Sequence, residues 1–590
     1  MKLFLFCVFI IVCFSTLSGS DTQESNATIN NIEESSITEY FNNLTKSRYS
    51  TSFSKSRHSI SVSGSIAEDE FWSADTVNVV GDIVIEDGIC LTIEPGTMID
   101  FQGFFAFDVQ GRLLAEGTTV DSIYFTKSDT TGFSYSDSLN GAWKGINFVN
   151  TSAENDSSKI SFCKIEFGKA NLETTTESMG GGIYISGFSK IDISNCTISN
   201  NYAVNGGGIV FQNCSPRISN CIIKDCEAEN STGGLGCYFG ANPIIDNCRI
   251  NNNSAFWGGG LECYSNSNPI LSNLEIYNNT AGEHGGGLLC AHNSAPFVIN
   301  CKIYENTALY GVGIDCFIDC SPTIFNTLIY HNQANSAGGA MSVSYNSNPK
   351  LINVTVVENY SEHEVGGIHI GDAHPVIINS IFWNNQDYDV YLLSFQEYDN
   401  EVTIRNSLID GGLEGIGNYD INEVYWQEGN LDLDPVFAND LINPFQLSQN
   451  SPCIDAGTEN VHDIIFPEID LIGNDRIIGS TIDIGCYEFQ EIGADDPIQD
   501  SSDFRLTNHP NPFNPTTTIF FETTNEHEET RIEIYNIKGQ KIETIPIYPS
   551  TNSPINSITW NAERFSSGVY FYKLNVSGKT VETKKCLLLK

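Results

Sequence analysis

The chain has 590 residues, with 73 acidic side chains against 29 Lys and Arg, a net charge of −44. So large an acidic excess argues against a nucleic-acid partner, because phosphate backbones select for clustered Lys and Arg. The low charged fraction (17%) excludes a coiled coil, and 40% hydrophobic residues is enough for a core rather than global disorder.

Met1–Ser20 opens with Lys2, runs without charge from Leu3 to Phe14, and ends on small residues at Ser18 and Ser20. This predicts a secretory signal peptide over residues 1–20, since the apolar run is too short for a bilayer about 30 Å thick. Residues 21–62 are Ser-, Thr- and Asn-rich with little apolar patterning, which predicts a disordered segment. No later stretch reaches about 18 apolar residues, so no transmembrane segment is expected in the mature chain.

Residues 63–489 carry an internal period, clearest over 180–410. Asn195, Asn220, Asn247, Asn273, Asn300, Asn326, Asn353 and Asn379 follow one another at steps of 25 to 27 residues. Prolines (Pro216, Pro243, Pro269, Pro296) and glycine clusters (Gly206–Gly208, Gly258–Gly260, Gly285–Gly287) keep the same beat. A fixed period of this length means a solenoid. Each unit holds short alternating runs such as Ile244-Ile245-Asp246 and Leu261-Glu262-Cys263, and β-branched residues dominate the inward columns. These are strand features, and no helical stripe competes with them.

The Asn column falls at a turn, which predicts an interior ladder of side-chain amides bonding from layer to layer. A second such column lies six residues on: Asn201, Asn253, Asn279, Asn306, Asn332, Asn359 and Asn385. The glycines would supply positive φ at another corner. Sixteen cysteines follow residue 20, several in step with the period (Cys237, Cys263, Cys290, Cys316), with no Cys-x-x-Cys pair. Buried thiol columns are expected, with disulfides between layers left open.

On these repeats the array resembles the right-handed parallel β-helix of the pectin-lyase-like superfold. Leu91–Thr97 and Gly111–Thr118 look like its opening coils. Leu433–Phe437, Ser451–Gly457 and Ile482–Glu488 look like its closing segment. A cap is expected there, because an open coil exposes strand edges. Asp455, Asp470, Arg476, Asp483 and Glu488 would bond within it. No cofactor is evident, and calcium on Asp455, Asp470 and Asp483 stays open, since carboxylates in loops are hard oxygen ligands.

Gln490–Asp503 reads as a polar linker. Residues 504–590 hold ten Lys and Arg against eight Asp and Glu, so the acidity belongs to the rest of the chain. Alternating runs without the long period predict a small β-sandwich. His509-Pro510-Asn511-Pro512-Phe513-Asn514-Pro515, Trp560 and Gly568-Val569-Tyr570 resemble the type A sorting domain of the type IX secretion system. The resemblance implies an immunoglobulin-like sandwich and the type IX machinery as partner. It also implies secretion or display at the outer-membrane surface of a Gram-negative, Bacteroidetes-like bacterium.

Stacked coils repeat side chains at fixed steps along a lateral groove, where a long polymer could lie. Trp257, His284 and Tyr310 precede the glycines of successive coils, and Tyr238, Tyr264 and Phe317 follow the cysteines. Aromatic rings in such columns point to glycan binding. A polar column of Glu262, Asp315 and His369 runs between them. Its two carboxylates would lie about 10 Å apart, near the upper end of inverting glycosidase separations, roughly 6.5–9.5 Å. The close copying of the repeats favours a binding, adhesin-like or structural scaffold. The alternative is a polysaccharide lyase or glycoside hydrolase acting in the groove.

Overall fold

A computed structural model describes residues 58–490 and 504–588, apart from 135–137, 172–177, 395–399, 420–421, 439–442, 462–465, 510–514, 524–529, 537–540, 548–554, 567 and 577–578. The signal peptide, residues 21–57, residues 491–503 of the linker and Pro510–Asn514 of the sorting motif lie outside the described residues. The chain divides into two units, Met1–Gln490 and Glu491–Lys590. Every regular element among the described residues is a strand.

The first unit is a parallel β-solenoid of about 13 turns. Each strand pairs in parallel with those one coil before and after. Inward residues therefore stack in columns, as in Ile193, Ile218, Ile245, Leu271 and Val298. All five are buried at 0–1% exposure. Burying each such side chain contributes about 1.5–3 kcal/mol. The first strand is Ser59–Ile66, pairing with Thr76–Ile85. The ordered array thus begins before residue 63, because Ile60 and Val62 already alternate towards the core.

The unbroken interior ladder belongs to the second Asn column. In the first, where the sequence also predicts a ladder, amides bond from layer to layer among the described residues only at Asn247–Asn220 (2.6 Å) and Asn326–Asn300 (3.2 Å). Asn253, Asn279, Asn306, Asn332 and Asn359 are buried, and each donates Nδ2 to the Oδ1 of the next member at 2.9–3.1 Å. Asn385 donates in turn to Asp389 at 2.7 Å, so an acceptor-only carboxylate ends the chain of amides. Cys226 stands in the column between Asn201 and Asn253, and its own N–H donates to Asn253 Oδ1 at 3.0 Å. The first column instead occupies left-handed turns: φ runs from +42° to +55° at Asn195, Asn220, Asn247, Asn273, Asn300, Asn326, Asn353 and Asn379. Asparagine tolerates that conformation where most residues pay strain.

Only the first glycine of each cluster takes positive φ, as at Gly258 (+63°) and Gly285 (+67°). The third is small because of the ladder: a Cβ on Gly260 would meet Gly287 O at 2.6 Å and Asn279 Nδ2 at 2.9 Å. All sixteen cysteines outside the signal segment are free thiols, and all but Cys90 are buried. Cys237, Cys263, Cys290 and Cys316 pair in one register column.

The closing segment does more than cap the last coil. It runs back along the flank as a strap over the first Asn column. Asn406 donates to Ala456 O at 3.3 Å, Asn379 to Thr458 O at 2.8 Å, Asn353 to Asp483 O at 3.0 Å and Asn326 to Ile469 O at 2.9 Å. Val461 and Phe466 pack on Phe325, Ile352 and Ile378, while Cys486 and Tyr487 cover Leu328 and Val357. Asn326, Asn353 and Asn379 are buried for this reason, whereas Asn195, Asn220, Asn247 and Asn273 are exposed.

In the second unit, the described strands form a three-stranded and a four-stranded antiparallel sheet. The two share one core around Ile519, Ile532, Ile534, Trp560 and Tyr572. Tyr570 lies buried there and donates to Ser566 O at 2.6 Å; Gly568 opens its strand, and Pro515 accepts from Ala562 N–H at 2.8 Å.

Candidate functional site

One register row runs along the outer side of the ladder that follows the glycines: Asp108, Asn147, Tyr184, Val210, Gly236, Glu262, Leu289, Asp315, Ser342, His369 and Tyr391. The structure thus brings Glu262, Asp315 and His369 onto one line, with Glu262 and Asp315 two coils apart. It does not leave them open to solvent: they are 3%, 0% and 4% exposed. The aromatic columns on either side close above Glu262 and Asp315.

Trp257, His284 and Tyr310 stack on one another, with centroids 4.7 and 5.3 Å apart at 28° and 30°. Rings stacked along the axis spend their faces on each other and turn edges outward, so this column does not offer three open faces to sugar rings. Phe317 leans across to within 5.0 Å of His284 and 5.9 Å of Trp257 and completes the roof. Tyr238 is buried at 4%, with Tyr264 edge-on to it at 6.1 Å.

Beneath the roof the polar groups engage each other. Thr232 donates to Glu262 Oε2 at 2.6 Å and the Tyr238 hydroxyl does so at 3.3 Å. Burial outweighs those bonds and pushes the Glu262 carboxyl up to about 7. His284 Nδ1 lies 2.6 Å from Asp315 Oδ2. Burial alone would depress His284, but the Asp315 bond and charge, with Glu283 adding its own, raise it above the ordinary imidazole range. His369 is driven down to about 4 by burial and is neutral at physiological pH; Glu364, at 3.7 Å, is too exposed to offset this.

Glu262 sets a testable pH dependence. Its folded value is raised from 4.5 to about 7, so its stabilising contribution is complete below pH 4.5 and is lost as pH rises through 7. A shift of that size corresponds to about 3 kcal/mol. Glu262→Gln is therefore expected to stabilise the protein at pH 8 by up to that amount and to leave it unchanged at pH 4. Urea melts at the two pH values check this; equal effects at both would contradict the buried acid.

Asp455, Asp470 and Asp483 spend their oxygens on backbone N–H groups. Asp455 Oδ1 accepts from Ser480 and Thr481 at 2.7 and 3.0 Å, Asp470 Oδ1 from Ile472 and Asn474 at 3.0 and 2.8 Å, and Asp483 from Asp455 and Phe489, both at 2.7 Å. Among the described residues no cluster of three or more His, Cys, Asp or Glu is arranged to hold a metal ion.

Sequence reasoning missed a turn row beside the roof: Phe239, Ser265, His292, Ile318 and Tyr345, all at φ between +52° and +68°. Phe239 is 47% and Tyr345 42% exposed. The available signal was a large aromatic at a position where other coils place Asn, Ser or Asp.

Residues 117–326 and 286–424 match the family described as right handed beta helix region, and residues 508–588 match the secretion system C-terminal sorting domain. The first match spans more than half of the chain, and the protein belongs to the right-handed β-helix family. It carries a type IX sorting tail, which implies handling by that machinery and secretion or cell-surface attachment. No curated protein matches. Among solved structures, the enzymatically active domain of tailspike protein 4 from bacteriophage CBA120 aligns at 11% identity over 87% of this chain and 64% of that one, with a TM-score of 0.17. A score that low carries no argument about function.

Proposed function

We propose that the protein is a surface-displayed or released β-helix scaffold that binds a glycan polymer along the aromatic edge of its lateral face, without cleaving it. The observation that carries this reading is the line Phe239, Tyr264, His292, Phe317 and Tyr345. Tyr264 lies edge-on to Phe239 at 5.6 Å and to His292 at 5.0 Å, and Phe317 to Tyr345 at 5.3 Å. Phe239 and Tyr345 hold left-handed backbone, which costs about 1–2 kcal/mol, yet much of each ring stays in water. Strain that burial does not repay points to a binding role. Against catalysis stand the buried carboxylates, Glu262 engaged by Thr232 and Tyr238 and Asp315 by His284.

Affinity electrophoresis through a panel of polysaccharides tests the proposal. Retardation by at least one polymer is expected, and the double variant Phe239→Ala/Tyr345→Ala should lose most of it. The same polymers are followed for unsaturated uronide absorbance and new reducing ends, with and without calcium. Product from any of them would overturn the binding reading in favour of a lyase or hydrolase.

A further inference from the structure

The row that carries Glu262 and Asp315 begins, in the early coils, beside an open cleft of about 370 Å³. Its walls include Phe104, Asp82, Asp108, Gln110, Lys144 and Asn147. This lies within the roughly 300–1,000 Å³ of sites that hold small molecules.

The cleft is held in shape by its own bonds. Asn147 Nδ2 donates to Asp108 Oδ1 at 3.1 Å, and Asp82 Oδ1 accepts the Ala106 N–H at 2.8 Å, tying down the turn that carries Phe104. Lys169, fully buried at the back, donates to Phe133 O at 2.7 Å and Ser138 O at 3.0 Å, and so pins the irregular stretch after residue 128 to the coil. The Lys144 ammonium sits 5.7 Å from the centre of the Phe104 ring.

The lining defines the ligand chemistry. Two carboxylates (Asp82, Asp108) and three amides (Gln110, Asn147, Asn150) beside the Lys144 ammonium, with the Lys169 ammonium behind them engaged by backbone carbonyls, offer the acceptors and donors that vicinal hydroxyls require. One aromatic ring supplies a surface for the apolar face of a sugar. An anionic ligand would meet Asp82 and Asp108 inside the field of a chain of net charge −44. We propose that this cleft binds a neutral pyranose residue, as a chain end or a short oligosaccharide. The ligand class rests on the glycan-binding reading above, but the site is separate from the aromatic edge.

The test is calorimetry and saturation-transfer NMR on the full-length protein with cellobiose, xylobiose, mannobiose and lactose. At least one should bind saturably. Phe104→Ala and Asn147→Ala should each weaken it by about tenfold or more, the scale of one lost directional contact. Both residues face outward, and an unchanged thermal melt confirms folding; Gln110→Ala serves as the further variant. Phe239→Ala should leave disaccharide binding unchanged while reducing polymer retention, so failure of one site is distinguishable from failure of the other. No binding of any disaccharide at about 10 mM, a ceiling that marks contacts too weak for a site, would overturn the proposal. So would binding unchanged in both variants, or tighter binding of a digalacturonate than of every neutral probe.

Discussion

Asn306→Ala is expected to destabilise the β-helix by about 4 kcal/mol. Asn306 is completely buried. Its Nδ2 donates to Ile276 O and to Asn332 Oδ1, both at 3.0 Å, and its Oδ1 accepts from Asn279 N at 3.0 Å and Asn279 Nδ2 at 3.1 Å. Alanine strands the Asn279 N–H and the Ile276 carbonyl inside the coil, and each such orphan costs about 1–3 kcal/mol. The partners on both sides belong to the same chain of amides, so the loss reaches neighbouring coils. Asn273→Ala is the control. It removes a left-handed asparagine from an exposed turn together with its solvent-exposed bond to Asp246 Oδ1 at 2.8 Å, so the expected cost is about 1 kcal/mol of strain plus about 0.5–1 kcal/mol for that bond. Urea unfolding of both variants decides the matter. Equal losses would mean that the second Asn column is not the ladder that holds the coils together.

Arg476→Ala is expected to release the strap while the coils beneath stay folded. Arg476 is 2% exposed; its Nη2 donates to Asp483 O at 3.2 Å and Gly485 O at 2.6 Å, and its Nε lies 4.0 Å from Glu488. Those same carbonyls take the Asn353 amide. Removing one partner of a buried ion pair costs about 3–5 kcal/mol, because the other charge stays behind. Burial and the Asp483 charge already push Glu488 up to about 7, so the variant should weaken further as pH rises through neutrality and Glu488 ionises. Limited proteolysis should cut between residues 450 and 490 far faster than in the parent. A hydrophobic dye should report newly exposed Leu328, Val357 and Phe325. Unchanged protection of the strap would refute the role of Arg476.

Asn306 sits in a repeating column and Arg476 in a segment with no repeat, and the two differ accordingly in how far the sequence announces them. Coil length, strand character and inward columns followed from residues that recur every 25 to 27 positions, because stacked coils demand the same side chain at the same place. The sorting tail was equally readable, being a contiguous motif. Which Asn column faces inward was not, because the two share residue type and spacing. They differ only in backbone hand and in which side of the turn they occupy, and both are settled when the coil closes. The strap has no period to betray it. One clue existed: the outward row Ser194, Ser219, Asp246, Ser272 turns apolar at Ile299, Phe325, Ile352, Ile378. Such a change requires a cover but does not say which segment supplies it. Likewise, the spacing alone placed Glu262, Asp315 and His369 on one line. Whether water reaches Glu262 and Asp315 depended on rings from two other rows, Trp257 and His284 on one side and Phe317 on the other, meeting above them. Contacts between residues that are neighbours only after the coils stack are decided by packing, and no local pattern carries them.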